Sequence, residues 1–327
     1  MITAYQALID ILQKSLVELN EGLNKKPAEL YEPQQYILTL GGKRVRPLLT
    51  LIGCDLFNGD IHEAIHAANT VELFHNFSLI HDDIMDNAPL RRGKATVHEK
   101  WNHNIGILSG DAMLVMAYKE LAKCKPEHLP QLLTLFNQTA IEVCEGQQLD
   151  MNFETLNEVS IDSYVNMISL KTAVLLGCSL QMGAIVAGAD LETQEHIYNF
   201  GKEIGIAFQL KDDILDVYGN TDKVGKQSGG DIISNKKTFL LLKSLELADA
   251  SQRKELDNWI AKSDFDKNEK VSAVKSIYNQ LGILEISEEE VNKHYSSALK
   301  NLDLITCPAD KKNNLLNFAE ALMGREH

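Results

Sequence analysis

Asp82-Asp83-Ile84-Met85-Asp86 and Asp212-Asp213-Ile214-Leu215-Asp216 are two copies of one acidic pattern, DDxxD, each within a stretch of helical periodicity. On an α-helix the first and fifth residues fall about 40° apart around the axis, so the outer aspartates of each copy point the same way. If the two helices face each other, the carboxylates of both copies line one cavity. At roughly 6 Å each pair of like charges costs about 3 kcal/mol at an effective dielectric of about 20, so such a cluster needs cations. Carboxylate sites that retain water and share ligands with phosphate suit Mg²⁺.

The overall composition narrows the class of protein. The chain has 327 residues, 44% of them hydrophobic, and a formal net charge of −14, which argues against nucleic-acid binding and a polybasic membrane anchor. An acidic chain that binds an anionic ligand needs locally concentrated Lys and Arg, so its basic clusters are informative. The five cysteines form no CxxC pair, as is typical of a reduced, cytoplasmic protein. The N-terminus lacks the basic segment of a signal peptide.

Apolar residues recur at helical spacing through most of the chain. Helices are predicted at residues 2–23, 31–40, 47–57, 61–86, 101–122, 127–151, 163–189 and 193–218, with about five shorter helices from Thr238 to Met323. We expect Pro27 and Pro33 to bracket a short connection before the second helix, and we see no period-2 pattern typical of a strand. We therefore predict an all-α fold: a single domain over residues 1–327, built as a helical bundle around a deep central cavity.

The most apolar stretch, residues 173–189, is only 17 residues long and contains Ser179 and Gln181. These features favour a buried central helix over a membrane span. Lys171 and Thr172 precede it directly. A lysine that enters a core helix is costly to bury unless it meets an anion.

Basic residues accompany each acidic motif. Lys43 and Arg46 follow Gly41-Gly42 at the start of a predicted helix, where free N–H groups favour an anion. Arg91-Arg92 follow the first motif on a loop, and arginine makes bidentate contacts to phosphate. The loop 219–237, which contains Lys226 and Lys236, follows the second motif. Taken alone, the first run is equally compatible with a solvated turn, and the arginines with charge compensation.

The helix that leads into the first motif passes from apolar to acidic residues. His75 lies two turns before Asp82 on nearly the same face, although a lone histidine there is more often a core residue than a ligand. Phe74 and Phe77 lie on the same helix, so the cavity beneath the metals should be apolar. The number of cations indicates two anionic groups, one bridged to Mg²⁺ and one held by Lys and Arg. A ligand with a diphosphate head and a hydrocarbon tail fits such a site.

Several motifs together resemble the trans-isoprenyl diphosphate synthases (polyprenyl synthetases), over essentially the whole chain. The motifs are GGKRVRP at 41–47, HNFSLIHDDIMD at 75–86, RRG at 91–93, KT at 171–172, FQLKDDILD at 208–216 and GKQSGGD…NKKT at 225–238. Six motifs in family order, with both aspartate motifs complete, are far more specific than one DDxxD. One departure is Ala95, where the family usually has proline, and we expect it to loosen that loop.

The resemblance implies a Mg²⁺-dependent prenyltransferase that condenses isopentenyl diphosphate with an allylic diphosphate (dimethylallyl, geranyl or farnesyl). Three Mg²⁺ ions are implied, held by Asp82, Asp86 and Asp212, with Asp83 and Asp216 supporting them indirectly. The implied ligands of the allylic diphosphate are Arg91, Lys226 and Lys236. The implied ligands of isopentenyl diphosphate are Lys43, Arg46, His75 and Arg92. The residues implied to stabilise an allylic carbocation are Lys171, Thr172 and Gln209.

The expected product length depends on residues before the first motif. In the family, the residues one to three turns ahead of the first aspartate form the floor of the tail cavity, which here implicates Phe77 and Phe74. An aromatic at position 77 without a two-residue insertion in the motif resembles short-chain synthases of the archaeal geranylgeranyl type. We therefore expect a product of fifteen to twenty carbons, and the longer one is favoured. The alternative is a longer-chain polyprenyl diphosphate synthase. The family also suggests a homodimer.

Three other classes of protein share some of these features. A terpene cyclase would not need GGKRVRP, and its second metal motif differs from a complete DDILD. A non-catalytic subunit would be expected to lose aspartates. A di-iron helical bundle is suggested by Glu72-x-x-His75 and Glu63-x-x-His66, but both pairs lie on one predicted helix, whereas such a site needs them on facing helices.

Overall fold

The computed structural model of the chain describes residues 3–219 and 229–324, and most of them are helical. After a 3₁₀ turn at Thr3–Tyr5, the first helices are α1 (Gln6–Glu21), α2 (Ala28–Thr39), α3 (Val45–Leu56), α4 (Ile61–Met85), α5 (Val97–Lys100), α6 (His103–Leu121) and α7 (Leu129–Thr155). The next are α8 (Ile161–Ile168), α9 (Val174–Val186), α10 (Leu191–Tyr218) and the short α11 (Gly230–Ile233). The last are α12 (Phe239–Leu247), α13 (Ala250–Ala261), α14 (Lys267–Gln280), α15 (Ile283–Leu304) and α16 (Ala309–Met323).

Two predictions about local structure are wrong. Pro33 does not lie in a connection but inside α2, because the extended backbone of Pro27 starts that helix directly at Ala28. A two-stranded antiparallel hairpin also interrupts the helices, with β1 at Leu90–Arg91 and β2 at Lys94–Ala95. The hairpin is too short to show an alternating pattern in the sequence, which is why no strand was expected.

A π-helical turn at Ser169–Ala173 joins α8 to α9. Two glycines on other helices let their backbones approach this turn closely. A Cβ at Gly146 would overlap the backbone of Lys171, and one at Gly205 would lie 2.6 Å from the Cα of Ala173. Such turns are often found at functional sites, and this one carries Lys171 and Thr172.

The chain divides into two compact units. The first consists of Met1–Thr139, Leu175–Tyr198 and Leu304–Leu315. Its core contains α4, which packs against α3 and α6. Helix α3 also meets α9 closely, because a side chain at Gly53 or Gly183 would overlap the backbone of the other helix.

The second unit consists of Ala140–Val174, Asn199–Asp303 and Leu316–His327. Its core is a cluster of buried aliphatic and aromatic side chains that includes Phe153, Tyr164, Leu210, Ile214, Phe239, Leu256, Val274 and Tyr278. The first acidic motif therefore belongs to the first unit and the second motif to the second unit. The prediction of one domain over residues 1–327 stays a prediction.

One helical stretch in the described residues, Ile161–Val186, is long and apolar enough to cross a membrane by length and composition. In its most apolar window, 78% of the residues are buried inside the protein. A core helix has the same composition, so this burial agrees with the prediction of a buried central helix.

Candidate functional site

The first acidic motif lies at the C-terminal end of α4, with Asp86 as the residue that follows the helix. Its aspartates have different environments. The side chain of Asp82 is 22% exposed and Asp86 is exposed, whereas the side chain of Asp83 is only 1% exposed. Asp82 and Asp86 are thus the two carboxylates of this motif that a ligand can reach.

Asp83 is held by Arg91 of β1. The Nε atom of Arg91 donates to both carboxylate oxygens of Asp83, at 2.9 and 2.8 Å, and its Nη2 lies 2.7 Å from Oδ1. The same guanidinium lies 3.5 Å from Oδ2 of Asp82. Burial raises the pKa of Asp83, and the hydrogen bonds from Arg91 oppose that shift. Arg91 therefore joins the hairpin to the first motif.

The hairpin is fastened at both ends although Ala95 replaces the usual proline. The hydroxyl of Tyr36 donates to the carbonyl of Ala95 at 2.7 Å. The hydroxyl of Thr96 donates to the carbonyl of Ala88 at 2.8 Å. These side-chain hydrogen bonds hold the backbone of the loop, and the expectation that Ala95 loosens it stays a prediction.

A basic cluster lies in the same unit, and it brings together three of the predicted motifs. Nη1 of Arg46 lies 3.4 Å from Nε2 of His75, and Arg92 donates to the carbonyl of Gly41. A Cβ at Gly42 would lie 2.8 Å from the guanidinium carbon of Arg92, so the glycine leaves room for that side chain. The predicted ligands of isopentenyl diphosphate are thus neighbours, apart from Lys43, which is exposed beside them.

The charges of this cluster affect its own protonation. Burial and then the positive charges of Arg46 and Arg92 hold the pKa of His75 well below its usual value of 6.5. Burial lowers the pKa of Arg46 to about 10, with Arg92 adding to the shift and Glu72 opposing it. The Nε atom of Arg46 is buried without a hydrogen-bond partner. A cationic guanidinium with an unused donor beside a neutral imidazole is suited to bind an anion.

Sequence reasoning missed a buried carboxylate beside this cluster. Glu72, which is 1% exposed, accepts from Arg44 and, at 2.7 Å, from Asn76. Arg44 has a left-handed backbone (φ 47°) and also donates to the carbonyl of Leu38. The available signal is an acidic residue three positions before His75 on α4, whereas the sequence suggests Glu72 only as an iron ligand.

The apolar part of α4 lies behind the motif. The ring of Phe77 is 5.6 Å from the ring of Phe74 and 4.8 Å from the imidazole of His81. Phe74 is 1% exposed and packs edge-to-face on Phe136 at 5.4 Å, whereas Phe77 is only partly buried. Phe77 is therefore the accessible member of this aromatic group, and Phe74 belongs to the layer beneath it.

The second acidic motif lies near the end of α10. Asp213 is 4% exposed and accepts from the hydroxyl of Tyr164 and, at 3.2 Å, from the amide of Gln209. Burial raises the pKa of Asp213 to about 7, the hydrogen bond from Tyr164 opposes the shift, and Asp231 adds to it. Asp213 thus has a structural environment similar to that of Asp83, and the partly exposed Asp212 is the carboxylate suited to a metal.

Asp216 connects the second motif to the segment that follows it. Its Oδ2 accepts from the backbone N–H of Asp231 at 2.9 Å, and its carbonyl accepts from the N–H of Gly229 at 2.7 Å. Lys236 lies five residues further on, and its N–H donates to the carbonyl of Asp231 at 2.9 Å. Lys226, also a predicted ligand of diphosphate, lies outside the described residues.

The three residues predicted to stabilise a cation also lie in the second unit. Nζ of Lys171 is 2.5 Å from Oδ2 of Asp150, which supplies the anion that a partly buried lysine needs. The hydroxyl of Thr172 donates to Oε1 of Gln209 at 3.4 Å. Asp150 was not among the predicted residues, although it ends the GQQLD segment of α7.

The donor set suits Mg²⁺. In the part of the chain that the structure describes, no group of three or more His, Cys, Asp or Glu side chains is placed so that it could hold a metal ion. A cation at either motif would therefore take its remaining ligands from water and from a bound anion. Mg²⁺ usually binds in this way, through one or two carboxylates together with water and phosphate oxygens. Asp82, Asp86 and Asp212 fit this role.

The contacts of the two Glu-x-x-His pairs disfavour a di-iron site. His66 lies 3.2 Å from the buried carboxylate of Glu120, and Glu63 lies 3.8 Å from Lys125. In the other pair, Glu72 binds arginine. Both glutamates are therefore engaged with cationic groups, and both pairs lie on α4 as predicted.

Comparison with known proteins identifies relatives of the whole chain. Residues 27–281 match the polyprenyl synthetase family. The chain is 40% identical over 248 residues to a short chain isoprenyl diphosphate synthase of Methanocaldococcus jannaschii, covering 76% of this chain and 75% of that protein. It is 34% identical over 305 residues to a geranylgeranyl pyrophosphate synthase of Geoglobus acetivorans, covering 93% of each.

Solved structures are similar as well. The chain superposes on a geranylgeranyl pyrophosphate synthase with a TM-score of 0.91 and 46% identity, over 97% of this chain and 99% of that one. It superposes on a geranylgeranyl pyrophosphate synthetase of Pyrococcus horikoshii with a TM-score of 0.91 and 33% identity, over 99% and 100%. These likenesses confirm the predicted all-α fold.

Proposed function

The chain belongs to the polyprenyl synthetase family, and on that premise we propose that it is a trans-prenyltransferase that joins isopentenyl diphosphate to an allylic diphosphate. The products are pyrophosphate and a prenyl diphosphate of fifteen to twenty carbons, with geranylgeranyl diphosphate favoured. Relatives named geranylgeranyl and short chain isoprenyl diphosphate synthases support this range.

One observation carries the proposal: each acidic motif is joined to a segment that bears a predicted diphosphate ligand. Arg91 of the hairpin holds Asp83 and approaches Asp82. In the second unit, the backbone of the segment before Lys236 is bound by Asp216. In both units, carboxylates proposed to bind metal are therefore joined to a segment with a cation proposed to bind phosphate. A diphosphate–metal complex needs both kinds of ligand.

Mg²⁺ held by Asp82, Asp86 and Asp212 would offset the negative charge that develops on the departing diphosphate. We propose three ions, as in the family. Asp83 and Asp213 do not bind metal in this scheme, because their hydrogen bonds to Arg91 and Tyr164 keep them inside the protein. They support the neighbouring metal ligands.

The cationic residues divide between two substrates. For the allylic diphosphate we propose Arg91, Lys226 and Lys236. For isopentenyl diphosphate we propose Lys43, Arg46, His75 and Arg92. The contact between Arg46 and His75, and the neighbourhood of Arg92 and Gly42, support the second group as one anion site. The low pKa of His75 favours a neutral imidazole, which can donate one hydrogen bond without adding charge.

The chemical step is a substitution at carbon. The C–O bond of the allylic diphosphate breaks, the bonding electrons leave with pyrophosphate, and the double bond of isopentenyl diphosphate attacks the allylic carbon. Loss of a proton, with pyrophosphate as the proposed base, regenerates a double bond. The carbonyl and side-chain oxygens near Thr172 and Gln209 would stabilise the carbocation, and the pair of Lys171 with Asp150 fixes the π-helical turn that carries Thr172.

The proposed tail site follows the apolar side of α4, with Phe77 as the residue that limits chain length and Phe74 behind it. The partial exposure of Phe77 and the burial of Phe74 support this order. A longer-chain polyprenyl synthase would require the tail to pass both rings.

The decisive experiment incubates the protein with Mg²⁺, isopentenyl diphosphate and, in turn, dimethylallyl, geranyl or farnesyl diphosphate, and sizes the products. We expect products that stop at fifteen to twenty carbons. Products beyond that range would replace this proposal with the longer-chain alternative, and the lack of any elongation with all three primers would refute both. In a parallel assay, EDTA should abolish turnover because it removes Mg²⁺.

We also propose that the enzyme acts in the cytoplasm as a homodimer. None of the five cysteines, all of which lie in the described residues, forms a disulfide bond, which suits a reducing compartment. Four apolar side chains of α6 are exposed, and they suit a contact with a second copy of the chain.

A further inference from the structure

Lys270 of α14 is a buried cation, and the catalytic scheme above does not use it. It is 1% exposed. Its Nζ donates to Oδ1 of Asn235 at 2.6 Å and to the carbonyl of Ile233 at 3.3 Å, and it lies 4.3 Å from the ring centre of Phe265. These partners carry no charge, and burial lowers the pKa of the lysine. Lysine is rarely buried so fully without a carboxylate, because the desolvation of its charge is expensive.

The partners of Lys270 lie in the segment that follows the second acidic motif. Asn235 has a left-handed backbone (φ 55°), and its side-chain amide donates to the carbonyl of Ile260 at 3.1 Å. With Oδ1 bound to Lys270, the side chain of Asn235 is therefore held on both sides. Lys236, the proposed ligand of diphosphate, is the next residue.

The other end of this segment is held by the motif itself, through the bonds from Gly229 and Asp231 to Asp216. A cavity of about 10 Å³ adjoins the segment. The cavity is lined by Asp231, Asn235, Lys236, Trp259, Lys270 and Tyr278, among others. Such a volume holds at most about one water molecule. Polar contacts at residues 216, 235 and 270 thus hold the segment that carries Lys236 at both of its ends.

We propose that Lys270 is a positioning residue for diphosphate binding: by holding Asn235 and Ile233, it fixes the segment 229–236 against Asp216 and so places Lys236. The proposal rests on the proposed function, because the role of Lys236 is itself proposed. Lys270 does not touch the substrate in this scheme. It acts through Asn235.

The test compares Lys270→Met, Asn235→Gly and the double variant with the wild-type protein. Glycine tolerates the left-handed backbone at 235 but removes the acceptor for Lys270. Two measurements are made: the affinity for inorganic pyrophosphate with Mg²⁺, by calorimetry, and the KM of each substrate. We expect Lys270→Met to weaken pyrophosphate binding and raise the KM of the allylic diphosphate about tenfold, as is typical when a residue that orients a ligand is lost. The KM of isopentenyl diphosphate should not change.

The double variant tests whether the two residues act as a unit. We expect Asn235→Gly to act in the same direction and the double variant to be no worse than either single one. Val274→Ala is the matched control, because Val274 lies one turn along α14, is 4% exposed and lines the same cavity, but its apolar side chain cannot hydrogen-bond to the segment. This substitution should lower the melting temperature and leave the pyrophosphate affinity and the KM of each substrate unchanged.

The two measurements separate this inference from the proposed function. If the wild-type protein elongates the primer but Lys270→Met has unaltered pyrophosphate affinity and KM, the positioning role alone is overturned. Pyrophosphate binding that is weakened in Lys270→Met, in a wild-type protein that does not elongate, would support the positioning role and refute the proposed activity. Three other results would also overturn the inference. They are additive effects of the two substitutions, an equal loss of pyrophosphate affinity in Val274→Ala, and a wild-type protein that does not bind pyrophosphate.

Discussion

Asp82 and Asp83 are adjacent carboxylates, but Asp82 is partly exposed and Asp83 is buried. We therefore expect substitution of Asp82 to affect turnover and substitution of Asp83 to affect stability. Asp82→Ala removes a proposed metal ligand from a partly exposed position, so we expect turnover to be abolished and thermal stability to be nearly unchanged. Asp83→Ala removes the partner of Arg91, whose side chain is 23% exposed. Losing one member of a buried ion pair costs about 3–5 kcal/mol, and the partial exposure of Arg91 reduces the expected loss to about 2 kcal/mol.

Chemical denaturation and a turnover assay of both variants test this contrast. Asp83→Asn is the matched control, since it retains the shape of the side chain and one acceptor for Arg91. Retained turnover in Asp82→Ala would contradict the metal assignment. A stability of Asp83→Ala equal to that of the wild type would show that the pair with Arg91 contributes nothing to folding.

The protonation of His75 is expected to make the free energy of unfolding depend on pH. Because burial and the nearby arginines hold its pKa well below 6.5, the folded protein keeps it neutral, while the unfolded chain takes up a proton below about pH 6.5. The unfolded state then binds more protons, so the contribution of His75 to stability is present above pH 6.5 and is lost as the pH falls. The loss is at most about 1.4 kcal/mol per pH unit.

Comparing the wild type with His75→Asn isolates this contribution, because other acid-sensitive groups act equally in both proteins. Between pH 7 and pH 5 we expect the free energy of unfolding of the wild type to fall more steeply than that of the variant. Parallel curves would mean that His75 titrates normally in the folded state.

At the scale of an element, substitutions in the Gly41-Gly42 turn distinguish the effect of backbone strain from the effect of displacing Arg92. Both residues have positive φ, 82° and 119°, so alanine at either position is strained by about 1–2 kcal/mol. Only Gly42→Ala would also push on the guanidinium of Arg92, because nothing lies within 4 Å of a Cβ at Gly41. We therefore expect Gly42→Ala, but not Gly41→Ala, to raise the KM of isopentenyl diphosphate. Equal KM values in the two variants would mean that Arg92 does not bind isopentenyl diphosphate.

Helix α4 is expected to set product length through Phe77. Phe77→Ala should open the space beside His81 and lengthen the product by one or more five-carbon units, as measured by chromatography of the dephosphorylated products. Leu51→Ala, in the buried face of α3, is a control for destabilisation and should leave the product unchanged. An unaltered product in Phe77→Ala would mean that the tail ends elsewhere.

Elements with a clear apolar period could be predicted from the sequence, whereas elements that depend on neighbours could not. The spacing predicts a helix at 61–86, and the structure has α4 at Ile61–Met85. Pro33 breaks a rule about helix interiors that is usually reliable, so its helix was predicted too short. The π-helical turn at Ser169–Ala173 depends on close approach by glycines from other helices, which a single sequence does not reveal.

At the scale of the whole molecule, the motifs indicated the reaction but not the groups that hold the motifs in place. The sequence indicates that Lys171 needs an anion, yet 46 acidic residues could supply it, and only the structure identifies Asp150. The partners of Asp83 and Asp213 likewise come from other elements. Such pairings join positions that are far apart along the chain, and charge patterns alone do not specify them.

The proposed homodimer is best tested at helix α6. Its exposed apolar side chains lie within about 100° of one another around the helix axis. They are Ile107 (45% exposed), Leu108 (60%), Val115 (68%) and Tyr118 (37%). Exposed apolar side chains that share one face of a helix are typical of an interface. We expect the wild type to sediment as a dimer and Leu108→Lys with Val115→Lys as a monomer. Val17→Lys, at a valine of α1 that is 57% exposed, is the control and should remain dimeric, whereas a dimeric double variant would place the interface on another surface.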